Sequence, residues 1–193
     1  MFLLIIAYIG AKILYIIEQS ILGNTIKHEL SGLSLFGAYY IVLLMTPVIA
    51  KLFKEDVWKL YDFFSLLSMI LLAATRLGCF FNGCCGAITI WKDLTPIILP
   101  VQLVEVICDL LILELCFAIE HKHPFRGFLY PVNMFSYSVC RFLLEFLRNS
   151  PQNIFSLSNG QLFAIIAVIC SIILMRINKN FHSVQQKHLR KQK

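Results

Sequence analysis

Apolar residues occur along this chain in six long stretches separated by short polar segments. The stretches cover about residues 2–22, 30–51, 61–81, 97–119, 127–148 and 160–176. A helix needs about 20 mostly apolar residues to cross the hydrocarbon core of a bilayer. The pattern therefore predicts an all-α fold, a polytopic integral membrane bundle of about six transmembrane helices.

Composition supports this prediction and excludes two other classes of protein. Of the 193 residues, 59% are hydrophobic and 15% are charged, and the mean hydropathy is +0.77. A soluble domain is about 45–50% apolar and about 25% charged, and a disordered chain has low hydrophobicity. The net charge of +6 comes largely from a tail that follows an apolar stretch, so no nucleic-acid partner is expected.

Basic residues are concentrated in alternate polar segments. The second segment carries Lys51, Lys54 and Lys59, the fourth carries Lys122 and Arg126, and the tail from Arg176 carries six basic residues. The positive-inside rule then predicts cytoplasmic termini, with one transmembrane domain at 1–176 and a basic cytoplasmic tail at 177–193. No basic segment or small-residue cleavage motif accompanies the first stretch, which is expected to be a retained helix.

Charged side chains within the predicted spans fall at similar depths. Arg76, Glu105 and Arg141 lie about 7–12 Å from the outer ends of their helices, at about 1.5 Å per residue. A charge at the centre of a span costs about 2.5–3.5 kcal/mol on insertion scales. Such a shared layer favours a functional site, and structural Arg–Glu pairing between helices is the alternative.

Helical spacing places further polar residues beside this layer. One stripe contains Tyr137, Arg141, Glu145 and Arg148, and a second contains Gln102, Glu105 and Asp109. Residues three and four apart share a helix face, so the two stripes predict a polar cavity suited to a lipid phosphate. Asp109, Glu114 and Lys12 are weaker candidates for function.

Five short motifs occur in order along the chain. They are S-G-L-S-L-F-G at 31–37, R-L-G-C-F-F-N-G-C-C-G at 76–86, L-P-V-Q-L-V-E at 99–105, R-F-L-L-E-F-L-R at 141–148 and S-N-G-Q at 158–161. Together they resemble the prolipoprotein diacylglyceryl transferase family across about residues 10–175. That family transfers a diacylglyceryl group from phosphatidylglycerol to the lipobox cysteine thiol of a prolipoprotein, forms a thioether, releases glycerol phosphate and uses no metal or organic cofactor.

The resemblance implies roles for individual residues. Arg76 and Arg141 would hold the phosphate and stabilise charge on the leaving group, because a guanidinium binds phosphate in a bidentate manner. Glu145 would orient Arg141. The implied catalytic set is Arg76, Tyr137, Arg141 and Glu145, and the implied substrate-binding set is Asn82, Gly83, Gln102, Glu105 and Arg148.

The resemblance also implies a location and partners. The protein would be a multi-pass protein of the bacterial cytoplasmic membrane, with its site facing the outer leaflet. Its partners would be phosphatidylglycerol, a prolipoprotein lipobox cysteine and the membrane itself. Two other functions remain open, namely a non-catalytic family member that binds lipid or a partner protein, and a small transporter.

The chain departs from the family pattern at several positions. Phe36 occupies the place of a histidine that is a candidate base for the acceptor thiol. Cys79, Cys84 and Leu99 replace an asparagine, an acidic residue and a histidine, and Gly86 comes one residue early. The chain is also expected to lack about one N-terminal span of the family's seven.

Seven cysteines raise separate possibilities. A disulfide and a nucleophilic thiol activated by Arg76 are both open for Cys79, Cys84 and Cys85, whereas their spacing does not favour a metal site. The other four are expected to be small packing residues within spans; they are Cys108, Cys116, Cys140 and Cys170. Tyr39 and Tyr40 are interpreted as packing or interfacial residues, and the alternative is that they face the cavity and replace the missing base.

Overall fold

The computed structural model describes residues 2–21, 34–82, 88–89, 98–122, 126–146, 152–154 and 157–191. Within these ranges the chain forms six helices and two short antiparallel hairpins. The helices are α1 (Phe2–Ile21), α2 (Leu35–Phe53), α3 (Val57–Phe81), α4 (Val101–Lys122), α5 (Leu129–Glu145) and α6 (Asn159–Lys191). The hairpins pair β1 (Ile88–Thr89) with β2 (Ile98–Leu99) and β3 (Gln152–Ile154) with β4 (Leu157–Ser158).

Three of the described helices are long and apolar enough to cross a membrane. The qualifying stretches are Phe36–Phe53, Val57–Phe81 and Asn159–Phe181, and α1 contributes a shorter apolar stretch, Ile5–Ile17. Helix α4 has 22 residues, which is about 33 Å at 1.5 Å per residue. Its four acidic residues lower its hydropathy, and they are Glu105, Asp109, Glu114 and Glu120.

Large apolar side chains cover much of the outer surface of the bundle. The exposed fraction is 81% for Phe81, 74% for Leu52 and 68% for Leu44. A soluble monomer rarely exposes large contiguous apolar patches. Lipid is therefore the natural environment of this surface, which agrees with the membrane fold predicted from the sequence.

The observed helix ends differ from the predicted ones for local reasons. Helix α3 begins four residues early because the carboxylate of Asp56 accepts a 2.9 Å hydrogen bond from the backbone N–H of Trp58. Helix α2 ends just before the start of α3, at Lys54, whose backbone adopts the left-handed conformation (φ 56°). The predicted helix over 98–99 is wrong, since these residues form β2 and α4 starts after Pro100. Helix α6 continues to Lys191, so the basic tail begins inside it.

Helices α1 and α2 approach closely at a pair of glycines. A Cβ atom added at Gly37 would overlap the backbone of Gly10 and the side chain of Leu14. The contact is extended by a 3.0 Å hydrogen bond from the backbone N–H of Ser34 to the carbonyl of Ala11. Small residues at a helix crossing allow such an approach, as is common between membrane helices.

Buried tyrosines connect α2 to its neighbours. The hydroxyl of Tyr39 donates to Oδ1 of Asn133 at 2.6 Å, and Nδ2 of Asn133 donates to the carbonyl of Ser65 at 2.6 Å. Tyr130 donates to the carbonyl of Tyr39 at 2.7 Å, and Tyr40 donates to the carbonyl of Phe163 at 2.6 Å. These partners satisfy the hydroxyl groups inside the bundle, so Tyr39 and Tyr40 act in packing.

The start of α5 is fixed at the end of the bundle where α3 begins. The carboxylate of Asp62 accepts hydrogen bonds from the backbone N–H groups of Gly127 and Leu129, and Nδ2 of Asn178 donates to the carbonyl of Arg126. Because α4 runs antiparallel to α3 and α5, the last turns of α3 and α5 lie beside the first turns of α4 and α6. That far end, which contains Arg76, Glu105 and Arg141 and which we call the site end, brings the charged layer together.

Candidate active site

Glu105, in the second turn of α4, joins three helices at the site end. Its Oε2 atom lies 3.1 Å from Nε of Arg76 on α3, and its Oε1 atom accepts a 2.6 Å hydrogen bond from Nη1 of Arg141 on α5. Glu105 is 5% exposed. Burial of an unpaired charge is costly, so this carboxylate and the two guanidinium groups stabilise one another.

Glu145 forms the second contact of Arg141. Nη2 of Arg141 lies 2.9 Å from Oε2 of Glu145, one helical turn further along α5. The hydroxyl of Ser158 donates to Oε1 of Glu145 at 3.0 Å. Arg141 is thus held between carboxylates of two helices, which fixes the plane of its guanidinium group.

The S-N-G-Q motif forms the start of α6 beside Glu145. The backbone N–H of Gln161 donates to Oγ of Ser158 at 3.2 Å, and Oε1 of Gln161 accepts from the backbone N–H of Ser158 at 3.0 Å. This reciprocal pair is a capping box. It places the positive end of the α6 dipole near the Glu145 carboxylate, which is a favourable arrangement.

Gly160 allows the first turn of α6 to come close to Glu145. A Cβ atom at this position would lie 3.2 Å from the carboxyl carbon of Glu145 and 3.3 Å from both of its oxygens. A larger residue would have to displace the carboxylate. The glycine of the motif is therefore explained by the close approach, and the serine and glutamine are explained by the cap.

A narrow pocket opens beside the ion pairs, between α3, α4 and α5. Asp109 lies on its wall, is 2% exposed, and its Oδ2 atom has no hydrogen-bond partner among the described residues. The lining of the pocket combines guanidinium, carboxyl, phenol and thiol groups with one leucine side chain. Its lining residues are Arg76, Glu105, Cys108, Asp109, Tyr137, Cys140, Arg141 and Leu144.

The structure brings most of the predicted catalytic residues together. Arg76, Tyr137 and Arg141 line the pocket, and Glu145 contacts Arg141 from the next turn of the same helix. Tyr137 is buried. The two polar stripes predicted on α4 and α5 therefore face one another, at the level of Glu105.

The predicted substrate-binding residues are less uniformly placed. Glu105 lines the pocket, whereas Gln102 is buried one turn nearer the start of α4. Asn82 is exposed at the end of α3, where its backbone N–H bonds to the carbonyl of Gly78 at 3.0 Å. Gly83 and Arg148 lie outside the described residues, as do Cys84 and Cys85.

Phe36, where the resemblance places a histidine, lies next to the pocket wall. Its ring packs edge-on against Tyr137 with a centroid separation of 5.8 Å, and it stacks on Tyr40 at 6.4 Å. Phe36 is 4% exposed. Phe36 therefore presents an apolar ring to Tyr137 where the resemblance would place an imidazole.

Sequence reasoning did not place two of the cysteines at the pocket. Cys108 and Cys140 were expected to be small packing residues within spans, and the structure adds that both line the pocket and that their thiol groups interact with each other. The signal lay in their spacing, because each follows a residue of a polar stripe, Glu105 or Tyr137, by three positions. Cys116 is buried in the core, in agreement with a packing role.

The fold and the site define a class of protein: a membrane-embedded helical bundle with a buried arginine–carboxylate cluster beside a pocket. Comparison with known sequences makes the class specific. A family model for prolipoprotein diacylglyceryl transferase matches residues 1–177, and the chain belongs to this family.

Individual relatives agree with the family assignment. The chain is 26% identical to the phosphatidylglycerol–prolipoprotein diacylglyceryl transferase of Clostridium tetani over 188 residues, which are 89% of this chain and 76% of that protein. It is 28% identical over 195 residues to transferase 2 of Clostridium perfringens, covering 89% and 74% of the two chains. A transferase of Clostridium kluyveri is 27% identical over 187 residues, covering 86% and 73%.

Proposed function

We propose that this chain transfers a diacylglyceryl group from phosphatidylglycerol to the lipobox cysteine of a prolipoprotein. The observation that carries the proposal is the pair of arginines, Arg76 and Arg141, that Glu105 holds beside one pocket. The names of the relatives give the lipid and the acceptor protein. The substrate in this reaction is an anionic phosphodiester, and the pocket offers guanidinium groups to receive it.

The arginines can keep their carboxylate partners while they bind a phosphate. A guanidinium group has five N–H donors in a fixed plane, and Arg141 directs Nη1 toward Glu105 and Nη2 toward Glu145. Its remaining N–H donors are enough for a third anion. Lysine would offer a single point charge in place of this fork, which supports a role specific to arginine.

Charge develops on the phosphate as the glyceryl carbon–oxygen bond breaks. Preorganised cations near the departing oxygen stabilise such a transition state. We assign this role to Arg76 and Arg141, with Glu145 fixing the orientation of Arg141 and Tyr137 hydrogen-bonding the lipid or the acceptor. We also propose that Asn82, Gly83, Gln102, Glu105 and Arg148 contact the substrates.

We also propose an arrangement in the membrane. All six helices would cross the bilayer with both termini in the cytoplasm, and residues 1–176 would form one transmembrane domain followed by the basic tail 177–193. The site end would then face the outer leaflet of the bacterial cytoplasmic membrane. The basic residues near the start of α5 and in the tail support this orientation.

A transfer assay with the full chain tests the activity. The purified protein is placed in nanodiscs containing phosphatidylglycerol, or phosphatidylethanolamine as the comparison lipid, and a lipobox peptide is added. With phosphatidylglycerol, and not with phosphatidylethanolamine, mass spectrometry is expected to detect a diacylglyceryl thioether on the peptide and free glycerol phosphate. A peptide with serine in place of the acceptor cysteine should gain no mass.

Three arginine variants show whether the pocket performs the reaction. Arg76→Ala and Arg141→Ala are expected to lose transfer, whereas Arg126→Ala should retain it, because that side chain is 70% exposed at the opposite end of α5. Absence of product from the unaltered chain, with lipid still bound, would contradict the proposal and support a non-catalytic lipid-binding protein. Equal loss in all three variants would contradict the location of the site.

A further inference from the structure

Asp109 is the feature of the pocket that the proposed roles leave unexplained. It lies on α4 one turn beyond Glu105, it is 2% exposed, and its Oδ2 atom has no hydrogen-bond partner among the described residues. A buried carboxylate oxygen without a hydrogen bond destabilises the fold. The position of the Asp109 carboxylate in a pocket therefore indicates that it contacts a ligand or takes part in a reaction. Glu105 and Glu145, by contrast, each contact a guanidinium group.

We propose that Asp109 is the base that accepts the proton of the acceptor thiol. This inference rests on the proposed transfer reaction. The described pocket and its immediate partners contain two guanidinium groups and three carboxyl groups, so one carboxylate charge is in excess. Accepting a proton would remove the charge that has no ion-pair partner among the described residues.

The depth of Asp109 fits the position of the reacting carbon. If the arginines hold the phosphate, the glyceryl carbon bonded to it lies on the acyl-chain side, further from the site end. Displacement at this carbon requires the thiol to approach from the side opposite the departing oxygen. The thiol therefore lies further from the site end than the carbon does. Asp109 lies about 6 Å beyond Glu105 in this direction, at four residues and 1.5 Å per residue.

The reaction balances without any other reactant. The thiol proton passes to Oδ2 of Asp109, and the sulfur forms a bond to the glyceryl carbon as the bond from that carbon to the phosphate oxygen breaks. The electron pair of that bond leaves on the phosphate oxygen. The proton on Asp109 then passes to the departing glycerol phosphate, which restores the carboxylate.

Several titratable or charged groups surround Asp109 and set the conditions for proton transfer. Guanidinium groups on two helices face it, and the remaining groups are a carboxyl, two tyrosine hydroxyls and two thiols. By element they are Tyr39 on α2, Arg76 on α3, Glu105 and Cys108 on α4, and Tyr137, Cys140 and Arg141 on α5.

The test compares acceptors that do and do not need a base. Asp109→Asn and the unaltered chain are assayed in phosphatidylglycerol nanodiscs with a cysteine peptide at pH 7 and pH 9, and with a selenocysteine peptide at pH 7. Loss of a general base lowers rates by about 100-fold or more. We expect this loss of rate for Asp109→Asn with the cysteine peptide at pH 7. The rate of Asp109→Asn should rise at least tenfold relative to the unaltered chain at pH 9, where a thiol ionises in solution. The same rise is expected with the selenocysteine peptide at pH 7, because its selenol is already ionised.

Controls separate the base from a structural role. Glu114→Gln on the exposed face of α4 should match the unaltered chain, and phosphatidylglycerol bound to Asp109→Asn, measured by mass spectrometry, should be undiminished. Asp109→Glu keeps a carboxylate and should retain part of the cysteine activity even if Asp109→Asn folds poorly.

Equal activity of Asp109→Asn and the unaltered chain would overturn the inference, and so would a loss that neither pH 9 nor selenocysteine reverses. No transfer by the unaltered chain with either acceptor would instead overturn the proposed function, and this inference with it.

Discussion

Arg141 and Glu105 are joined by a 2.6 Å hydrogen bond between side chains that lie 36 positions apart in the sequence. The bond connects α5 to α4, and the other carboxylate oxygen of Glu105 contacts Arg76 on α3. A single buried carboxylate therefore determines how two guanidinium groups are placed. The pocket depends on this bridge for its shape and for its charge.

Replacement of Glu105 by glutamine is expected to destabilise the protein. The variant leaves Arg76 and Arg141 without their shared counter-charge, and breaking a buried pair by removing one partner costs about 3 kcal/mol or more. Unfolding in mixed detergent micelles measures the change in free energy. Glu114→Gln, at an exposed position of the same helix, should change stability by less than about 0.5 kcal/mol. Equal stability of the two variants would contradict a structural role for the bridge.

Arg141→Lys is expected to lower transfer far more than charge conservation suggests. An ammonium group cannot reproduce the fork that contacts Glu105 through Nη1 and Glu145 through Nη2, and it offers a point charge to the phosphate. Removal of one preorganised donor lowers rates by about 100-fold, and initial rates of peptide lipidation should show a loss of this size. Arg126→Lys, at the exposed start of α5, is the matched control. A rate for Arg141→Lys within threefold of the unaltered chain would rule out the bidentate role.

Gly160→Ala is expected to impair transfer without unfolding the protein. The added methyl group would lie 3.2–3.3 Å from the carboxyl group of Glu145, so the carboxylate must move by a few tenths of an ångström and Arg141 with it. Misplacement of a catalytic group lowers rates steeply, and a loss of about tenfold is expected in the lipidation assay.

Ser158→Ala serves as the comparison for Gly160→Ala. It removes the cap of α6 and the hydrogen bond to Glu145, and loss of a cap costs about 1 kcal/mol. Both variants should lose activity, but the free energy of unfolding should fall for Ser158→Ala alone. A stability loss in Gly160→Ala equal to that in Ser158→Ala would show that the glycine serves the cap and not the carboxylate.

The sequence predicts the helices and the charged layer because both depend on local periodicity. Arg76, Glu105 and Arg141 could be assigned to one depth from their distances to the ends of apolar stretches. The contact between Arg141 and Glu145 within α5 was implied by the resemblance. The partners across helices could not be assigned, since the bridge through Glu105 requires the rotation of three helices about their axes. Hairpin β3–β4 and the capping box at Ser158 escaped prediction for a related reason. Their residues lie in a short polar segment, and the partner of Ser158, Glu145, lies 13 positions earlier on another helix.

Gly37→Ala is expected to separate α1 from α2. A methyl group at this position would overlap the backbone of Gly10 and the side chain of Leu14, and a rigid backbone cannot move aside as a flexible side chain can. Overpacking of this kind costs about 1–3 kcal/mol, measurable by unfolding in mixed micelles. Gly78→Ala is the matched control, because a Cβ atom there would meet no atom within 4 Å of the described structure, and alanine in a helix interior is favoured over glycine by about 0.5–1 kcal/mol. The two substitutions should therefore shift stability in opposite directions, and a stabilising effect of Gly37→Ala would contradict the close contact between α1 and α2.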